Sequence, residues 1–141
     1  MKIKRKVLAY ITKGQQANLE LLVFEHKDFP EAGLQVPAGT IEKDELVIDA
    51  LYREIFEETG LNRDALSITG KIHKYNYYPQ GKNSVHERNI FHLNYEGEQV
   101  NWEHSVVSDG QDNGLIFKFR FEPIETLPPL AGAQGQTLEM L

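Results

Sequence analysis

One segment of the chain, residues 45–59, has the length and composition expected of an α-helix. It contains no glycine or proline, and its apolar residues recur with helical spacing. Gly60 follows at once and suits the left-handed turn that often ends a helix, while Asp44 is the candidate N-cap. Because the remaining segments are typical of strands and turns, this single helix must pack against a sheet, which predicts an α+β or three-layer architecture.

Strand-like segments lie on both sides of the predicted helix. They are rich in β-branched, aromatic or alternating apolar residues and cover residues 4–12, 18–26, 66–78, 85–95 and 115–123. Turn residues at 13–15 and 79–81 predict two hairpins. The polar stretch 96–114 is predicted to be a long loop, and residues 126–141 are predicted to include a short C-terminal helix.

Composition limits the classes of protein to which the chain can belong. Its 141 residues suffice for one core, so we expect a single domain spanning residues 1–141. A net charge of −6 argues against a protein that binds duplex nucleic acid. The chain has no cysteine, its apolar run at residues 7–11 is too short for a signal peptide, and no stretch is long enough to span a bilayer. We therefore expect a cytoplasmic protein with no membrane partner, and leave open whether it forms a homodimer.

The charged residues are unevenly distributed. Residues 42–58 carry seven acidic side chains against Lys43 and Arg53. Residues 71–92 carry four lysines and arginines against Glu87 alone. An acidic cluster beside a basic cluster that also contains tyrosines predicts a metal-bridged site for an anionic small molecule.

Three carboxylates of the predicted helix fall on one face. With Glu54 at zero on a helical wheel, Glu57 lies about 60° to one side and Glu58 about 40° to the other. Ionised carboxylates at this spacing repel one another, and a hard divalent cation such as Mg²⁺ or Mn²⁺ would offset that repulsion. The alternative is a solvated acidic surface in which Arg53 pairs with Glu57. The same wheel predicts an apolar stripe that faces the core, made of Ile48, Leu51 and Ile55.

Residues 39–61 resemble the Nudix box at every defining position. That signature is Gly, five residues, Glu, seven residues, Arg-Glu, an aliphatic residue, any residue, Glu-Glu, any residue, Gly and an aliphatic residue. Its fixed positions are matched by Gly39, Glu45, Arg53, Glu54, Glu57, Glu58 and Gly60. Seven identities at roughly 6% each make a chance match in this chain rarer than about one in a million. The chain is therefore identified as a member of the Nudix (MutT-like) hydrolase superfamily, whose fold is an α/β/α sandwich with a mixed sheet and the box as a loop-helix-loop.

The resemblance implies a metal-dependent pyrophosphohydrolase, in which water attacks phosphorus to cleave a nucleoside diphosphate linked to another moiety. It implies Mg²⁺ or Mn²⁺ bound by Glu54, Glu57, Glu58 and the backbone carbonyl of Gly39. Glu54, Glu57 and Arg53 would form the catalytic set, with Glu54 or a downstream acid as base and Arg53 holding the carboxylates through ion pairs. The alternative is a nucleotide-sensing Nudix module without turnover, although three mutually repelling acids disfavour a pure binder.

Three residues outside the box are candidates for binding the substrate. Tyr77 and Arg88 lie in a basic, aromatic stretch suited to stacking on a base and holding phosphate, although a charged strand edge has the same composition. Glu103 is a candidate for an extra acid from outside the box, with Glu87 as the competing choice and an exposed surface charge as the alternative.

Aromatic and imidazole side chains elsewhere are each candidates for either a ligand contact or a structural role. Trp102, in the predicted loop, could close over a base, although a lone tryptophan is more often a packing residue. Three histidines on strand-like segments could contact phosphate or a ligand, but a structural role is favoured for each: His73, His86 and His92.

Overall fold

A computed structural model describes all residues from 1 to 141. The chain forms one seven-stranded sheet, a single α-helix and six short 3₁₀ turns. The strands are β1 (Lys2–Lys13), β2 (Glu20–His26), β3 (Ala38–Thr40), β4 (Leu66–Tyr77), β5 (Ser84–Tyr95), β6 (Asn101–Ser105) and β7 (Ile116–Pro123). The helix, α1, spans Val47–Thr59. No helix here has the length and apolar character needed to cross a membrane.

The sheet is mixed, with the strand order β4-β5-β1-β2-β7-β6 and with β3 paired to β1. Strands β1 and β5 run parallel, and every other pair is antiparallel. Both predicted hairpins are present, as β1–β2 and β4–β5. Strand β1 lies inside the sheet, and its residues 7–11 are all buried, which explains their unbroken apolar sequence.

Each face of the sheet is covered by a different layer. On one face, Val7, Ala9 and Ile11 of β1 pack in the same core as Leu51 and Ile55 of α1. On the other face, Leu8 and Tyr10 of β1 lie in a second core. The C-terminal segment contributes Leu127, Leu130 and Leu138 to this core. The fold is therefore the α+β sandwich that the sequence predicts.

Helix α1 matches its prediction at the C-terminal end and differs at the start. Gly60 has φ 80°, and its N–H donates to the Phe56 carbonyl. The helix begins at Val47, and Asp44 is not its N-cap, because Asp44 lies two residues before the capping position with φ 64°. The prediction that Ile48 faces the core is wrong, because Ile48 is 41% exposed. The angle of a residue on a helical wheel does not show whether the first turn of the helix lies over the sheet.

Two predicted segments are corrected by the structure. Within the predicted loop 96–114, β6 pairs with β7 along the edge of the sheet, a position that tolerates a short polar sequence. The predicted short C-terminal helix is present only as 3₁₀ turns, Ala131–Ala133 and Leu138–Met140. Gly132 and Ala133 have φ 60° and 56°, and these left-handed conformations interrupt helical continuation.

Candidate active site

A cavity of about 520 Å³ is bordered by α1, β1, β3, β5, the loop after β6 and the C-terminal segment. We call two parts of its lining by name. The carboxylate wall consists of Gly39, Glu54, Glu57 and Glu58. The basic wall consists of Lys6, His86 and Arg88. The four box residues that the sequence associates with metal therefore meet at one cavity.

The carboxylates of the carboxylate wall are poorly exposed to solvent. The side chains of Glu54 and Glu57 are 14% and 22% exposed, and Glu58 as a residue is 8% exposed. Burial raises the pKa of Glu54 to about 7, although the Arg53 guanidinium opposes this rise. Burial also raises the pKa of Glu58 well above its ordinary value, against a hydrogen bond of 3.0 Å that Glu58 accepts from the Ala38 N–H. Placing these groups together is therefore electrostatically costly without a compensating cation.

Gly39 holds its backbone directly against the Glu54 carboxyl group. It lies in β3, where it pairs with Val7 of β1. A Cβ added at Gly39 would overlap the Glu54 carboxyl carbon and both of its oxygens. Lack of space for a side chain, rather than backbone conformation, thus requires glycine at position 39. The absence of a side chain lets the backbone of β3 approach the Glu54 carboxyl group.

Arg53 is hydrogen-bonded to several acidic side chains and orients them. Its Nε and Nη2 donate to the two oxygens of Glu45 at 2.7 and 2.9 Å, and Nη2 also donates to the Thr40 carbonyl at 2.9 Å. Its Nη1 lies 2.8 Å from Glu54 and 3.3 Å from Glu57. The guanidinium holds the pKa of the Glu45 carboxyl below its ordinary value. Arg53 is therefore a positioning residue that links α1 to the preceding loop.

The donor set suits a hard divalent cation, although the carboxylates do not form a closed cage. No group of three acidic or histidine side chains converges on one point. Glu58 accepts from a backbone N–H, and Glu54 and Glu57 both contact Arg53. Mg²⁺ commonly uses only one or two carboxylates and completes its shell with water and substrate phosphate. The oxygen-rich carboxylate wall, with the close backbone approach at Gly39, fits such a partly open arrangement.

The basic wall is formed by the parallel strands β1 and β5. Their register places Lys6 beside Arg88 and Lys4 beside His86. Burial, followed by the neighbouring cations, lowers the pKa of His86 to about 4, and burial is also the largest cause of the lowered pKa of Lys6. His86 is thus neutral at neutral pH, and Lys6 and Arg88 supply the positive charge of this wall.

Of the three predicted substrate-binding residues, only Arg88 lines the cavity. It is 6% exposed, and its Nη1 donates to the Gly132 carbonyl at 2.7 Å. Its guanidinium lies 3.8 Å from the centre of the Tyr77 ring, so Tyr77 contacts Arg88 and does not itself border the cavity. Glu103 is not brought to the site either, because it lies on β6 and pairs with Lys27 at 3.0 Å.

Most other side chains singled out by sequence have packing roles. Trp102 stacks on Phe119 and donates its indole N–H to the Thr59 carbonyl at 2.9 Å, so it packs against the end of α1. His92 lies between the hydroxyls of Thr12 and Thr69. Two further residues are engaged at the surface of β4 and β5: His73 stacks beside Tyr75, and Glu87 pairs with Arg5 and Lys74.

The sequence did not identify several residues that line the cavity. Asp109 and Asp112 come from the loop after β6, and Gln134 comes from the C-terminal segment. The length and turn residues of the loop indicated a functional segment, but they did not indicate which acids reach the cavity. No sequence signal marked Gln134, since its position depends on how the C-terminal segment packs on the sheet.

A family model matches nearly the whole chain. The model of the NUDIX domain family matches residues 2–141. The RNA pyrophosphohydrolase of Thioalkalivibrio sulfidiphilus is 35% identical over 69 residues, which are 49% of this chain and 40% of that protein. The chain thus spans about two fifths of the length of that relative.

Solved structures show the same fold at low sequence identity. The MutT NUDIX hydrolase of Burkholderia pseudomallei has a TM-score of 0.69 and 19% identity, with 100% of this chain and 99% of that chain covered. The NUDIX domain of Shewanella oneidensis NrtR, solved with ADP ribose, has a TM-score of 0.62 and 16% identity, with 99% and 86% covered. Because identity is so low, these two likenesses concern the fold alone.

Proposed function

The chain belongs to the NUDIX domain family, and from that premise we propose that it is a metal-dependent pyrophosphohydrolase. Its substrate would be a nucleoside diphosphate linked to another moiety, cleaved at a phosphoanhydride bond by water. The observation that carries this proposal is the carboxylate wall: three acids and a closely approaching backbone at one cavity, with Arg53 in contact with two of the acids. A cytoplasmic location and a single domain over residues 1–141 remain predictions.

We assign the divalent cation, Mg²⁺ or Mn²⁺, to Glu54, Glu57, Glu58 and the Gly39 carbonyl. When bound, the metal supplies electrostatic stabilisation of the anionic phosphate oxygens in the transition state. The protein's own groups hold and orient the reactants. Glu54, which lines the cavity, is the proposed acceptor of the proton from the attacking water, with Asp109 and Asp112 as the alternative acids within the same lining.

The basic wall would bind the phosphates that the metal does not neutralise. Lys6 and Arg88 are cationic groups on adjacent strands that face the same cavity as the acids. Arg88 keeps Nη2 and Nε for a ligand, since only its Nη1 donates within the protein. The Tyr77 ring under the guanidinium would fix its orientation. Opposite charges along one cavity suit a metal-bridged, polyanionic substrate.

A hydrolysis screen tests the proposal. The panel should contain nucleoside triphosphates, ADP-ribose, nucleotide sugars, dinucleoside polyphosphates and 5′-triphosphorylated or capped RNA, each with Mg²⁺, with Mn²⁺ and with a chelator. We expect phosphate or nucleotide products from at least one compound, and none with the chelator. Thermal stabilisation by a nucleotide without products from any compound would favour the nucleotide-sensing module instead.

A further inference from the structure

Gln134 is a buried polar residue of the cavity that the proposed chemistry does not use. It is 8% exposed and lines the cavity that contains the carboxylate wall. Its side-chain Oε1 accepts the Val36 N–H at 2.8 Å, and its backbone carbonyl accepts the Tyr10 hydroxyl at 2.5 Å. Both the backbone and the side chain of Gln134 are therefore held in place.

The hydrogen bond from Val36 fixes which end of the amide is free. A backbone N–H can only donate, so the Gln134 oxygen must face Val36 and the Nε2 group must point the other way. Nε2 donates to no group of the protein. Every side-chain nitrogen or oxygen that is inaccessible to solvent has a hydrogen-bond partner, so the unpaired Nε2 must be accessible to solvent. Nε2 is thus a fixed donor that is reached from the cavity.

The surroundings of Gln134 suit a flat apolar ring better than a phosphate. Leu8 and Val36, which lie in the core beneath the C-terminal segment, line the same cavity and supply the apolar residues on the side of Gln134. The anionic groups of a substrate would instead be drawn to the cation at the carboxylate wall and to the basic wall. A ligand that extends along the cavity would therefore place its nucleobase beside Gln134.

We propose that Gln134 is a specificity-determining residue that favours nucleobases with a carbonyl oxygen on the edge that meets it, as in guanine and uracil. Its Nε2 would donate to that oxygen. An adenine edge is recognised by glutamine through one donor and one acceptor presented together, but the Gln134 oxygen is directed at the Val36 N–H, so the amide presents its Nε2 donor to the cavity. An exocyclic amino group at the same place would meet this donor with another donor, because the Gln134 oxygen is turned toward Val36. This inference rests on the proposed function, because it assumes a nucleotide ligand.

Binding of the mononucleotide products tests this inference separately from hydrolysis. Affinities of the protein for GMP, AMP, UMP and CMP would be measured by calorimetry in the presence of Mg²⁺, since none of these compounds has a phosphoanhydride bond to cleave. We expect GMP to bind about tenfold or more tightly than AMP, and UMP more tightly than CMP, as when a buried donor is left unpaired by the wrong ligand. Equal affinities, a preference for AMP, or no binding of any of the four would overturn the inference.

Two variants and a control locate the preference in the residue. Gln134→Met removes the donor at similar volume and should bring the GMP affinity down to the AMP level. Gln134→Glu keeps an oxygen for Val36, replaces the donor by an acceptor, and should reduce or reverse the preference. Gln136→Glu makes the same change at an exposed position of the same segment and should leave the preference unaltered. A variant of Gln134 that folds and keeps the wild-type ratio of GMP to AMP affinity contradicts the proposal. If neither variant folds, the affinity ratios of the wild-type protein decide.

If the hydrolysis screen fails while the GMP preference is present and depends on Gln134, the base recognition stands and the catalytic proposal falls. If hydrolysis occurs without any preference between bases, the catalytic proposal stands and the role of Gln134 is wrong. The two readouts thus separate the two ideas.

Discussion

The carboxylate wall and the surroundings of Gln134 border the same cavity but are built differently. The carboxylate wall comes from residues 39–58, and Arg53 contacts two of its three acids, Glu54 and Glu57. The surroundings of Gln134 combine β1, residue 36 and the C-terminal segment, and they offer apolar surface with a single free donor. This difference indicates that changes in the first region should lower turnover of every substrate, whereas changes near Gln134 should alter which substrate is bound.

The largest effect is expected from Glu57→Gln. The substitution removes one anionic ligand from the carboxylate wall while keeping size and polarity, so metal-dependent turnover should fall by about 10³-fold or more. Steady-state rates with the substrate found in the screen, beside a thermal unfolding curve, would measure it. Glu96→Gln makes the same charge change at an exposed residue outside the cavity and should keep full activity. Full activity in Glu57→Gln would show that the carboxylate wall does not bind the catalytic metal.

A somewhat smaller loss is expected from Gly39→Ala. The added methyl group would overlap the Glu54 carboxyl group, so either the backbone of β3 or the acid must move. Turnover should fall by about 100-fold, with a lower affinity for Mn²⁺. A variant that retains wild-type turnover and metal affinity would mean that the close approach of Gly39 and Glu54 has no role in the site.

Arg53→Lys tests whether geometry, beyond charge, maintains the carboxylate wall. Lysine keeps the positive charge but cannot donate to Glu45, Glu54 and Glu57 at once, and we expect turnover to drop by about 10- to 100-fold. The control is Arg63→Lys, since Arg63 is an exposed residue that pairs with Asp49. Equal activity of the two variants would show that any cation near the acids suffices.

The smallest effect on activity is expected from Trp102→Phe. The indole N–H bonds to the end of α1 and the ring stacks on Phe119, so the variant should lose about 1–2 kcal/mol of unfolding free energy. Denaturant unfolding would measure this loss, while KM for the substrate should stay within about twofold. A large rise in KM without loss of stability would indicate that Trp102 stacks on the substrate after all.

Sequence predicted the carboxylate wall because its acids are spaced by one helix and its motif is local. Glu54, Glu57 and Glu58 share a face wherever that helix forms, and Gly60 marks its end. The sequence also predicted five strands and both hairpins, since each is encoded by its own apolar pattern and turn residues.

The remainder of the site depends on contacts between distant segments, which local patterns do not encode. Gln134 meets Val36 across 98 positions of sequence, and Asp112 reaches the cavity from a loop whose path is set by β6. Glu103 is an acid of the same polar stretch of sequence, but its side chain pairs with Lys27. A charge in a long loop therefore indicates a candidate, and only the packing of the loop decides whether it lines the site.

The most direct test of the central claim is a Mn²⁺ titration followed by electron paramagnetic resonance, on the wild-type protein and on Glu57→Gln. We predict saturable binding of Mn²⁺ to the wild type and an affinity at least about tenfold lower in the variant. Wild-type protein that binds no Mn²⁺, or equal binding by the two proteins, would contradict the assignment of the carboxylate wall as the metal site.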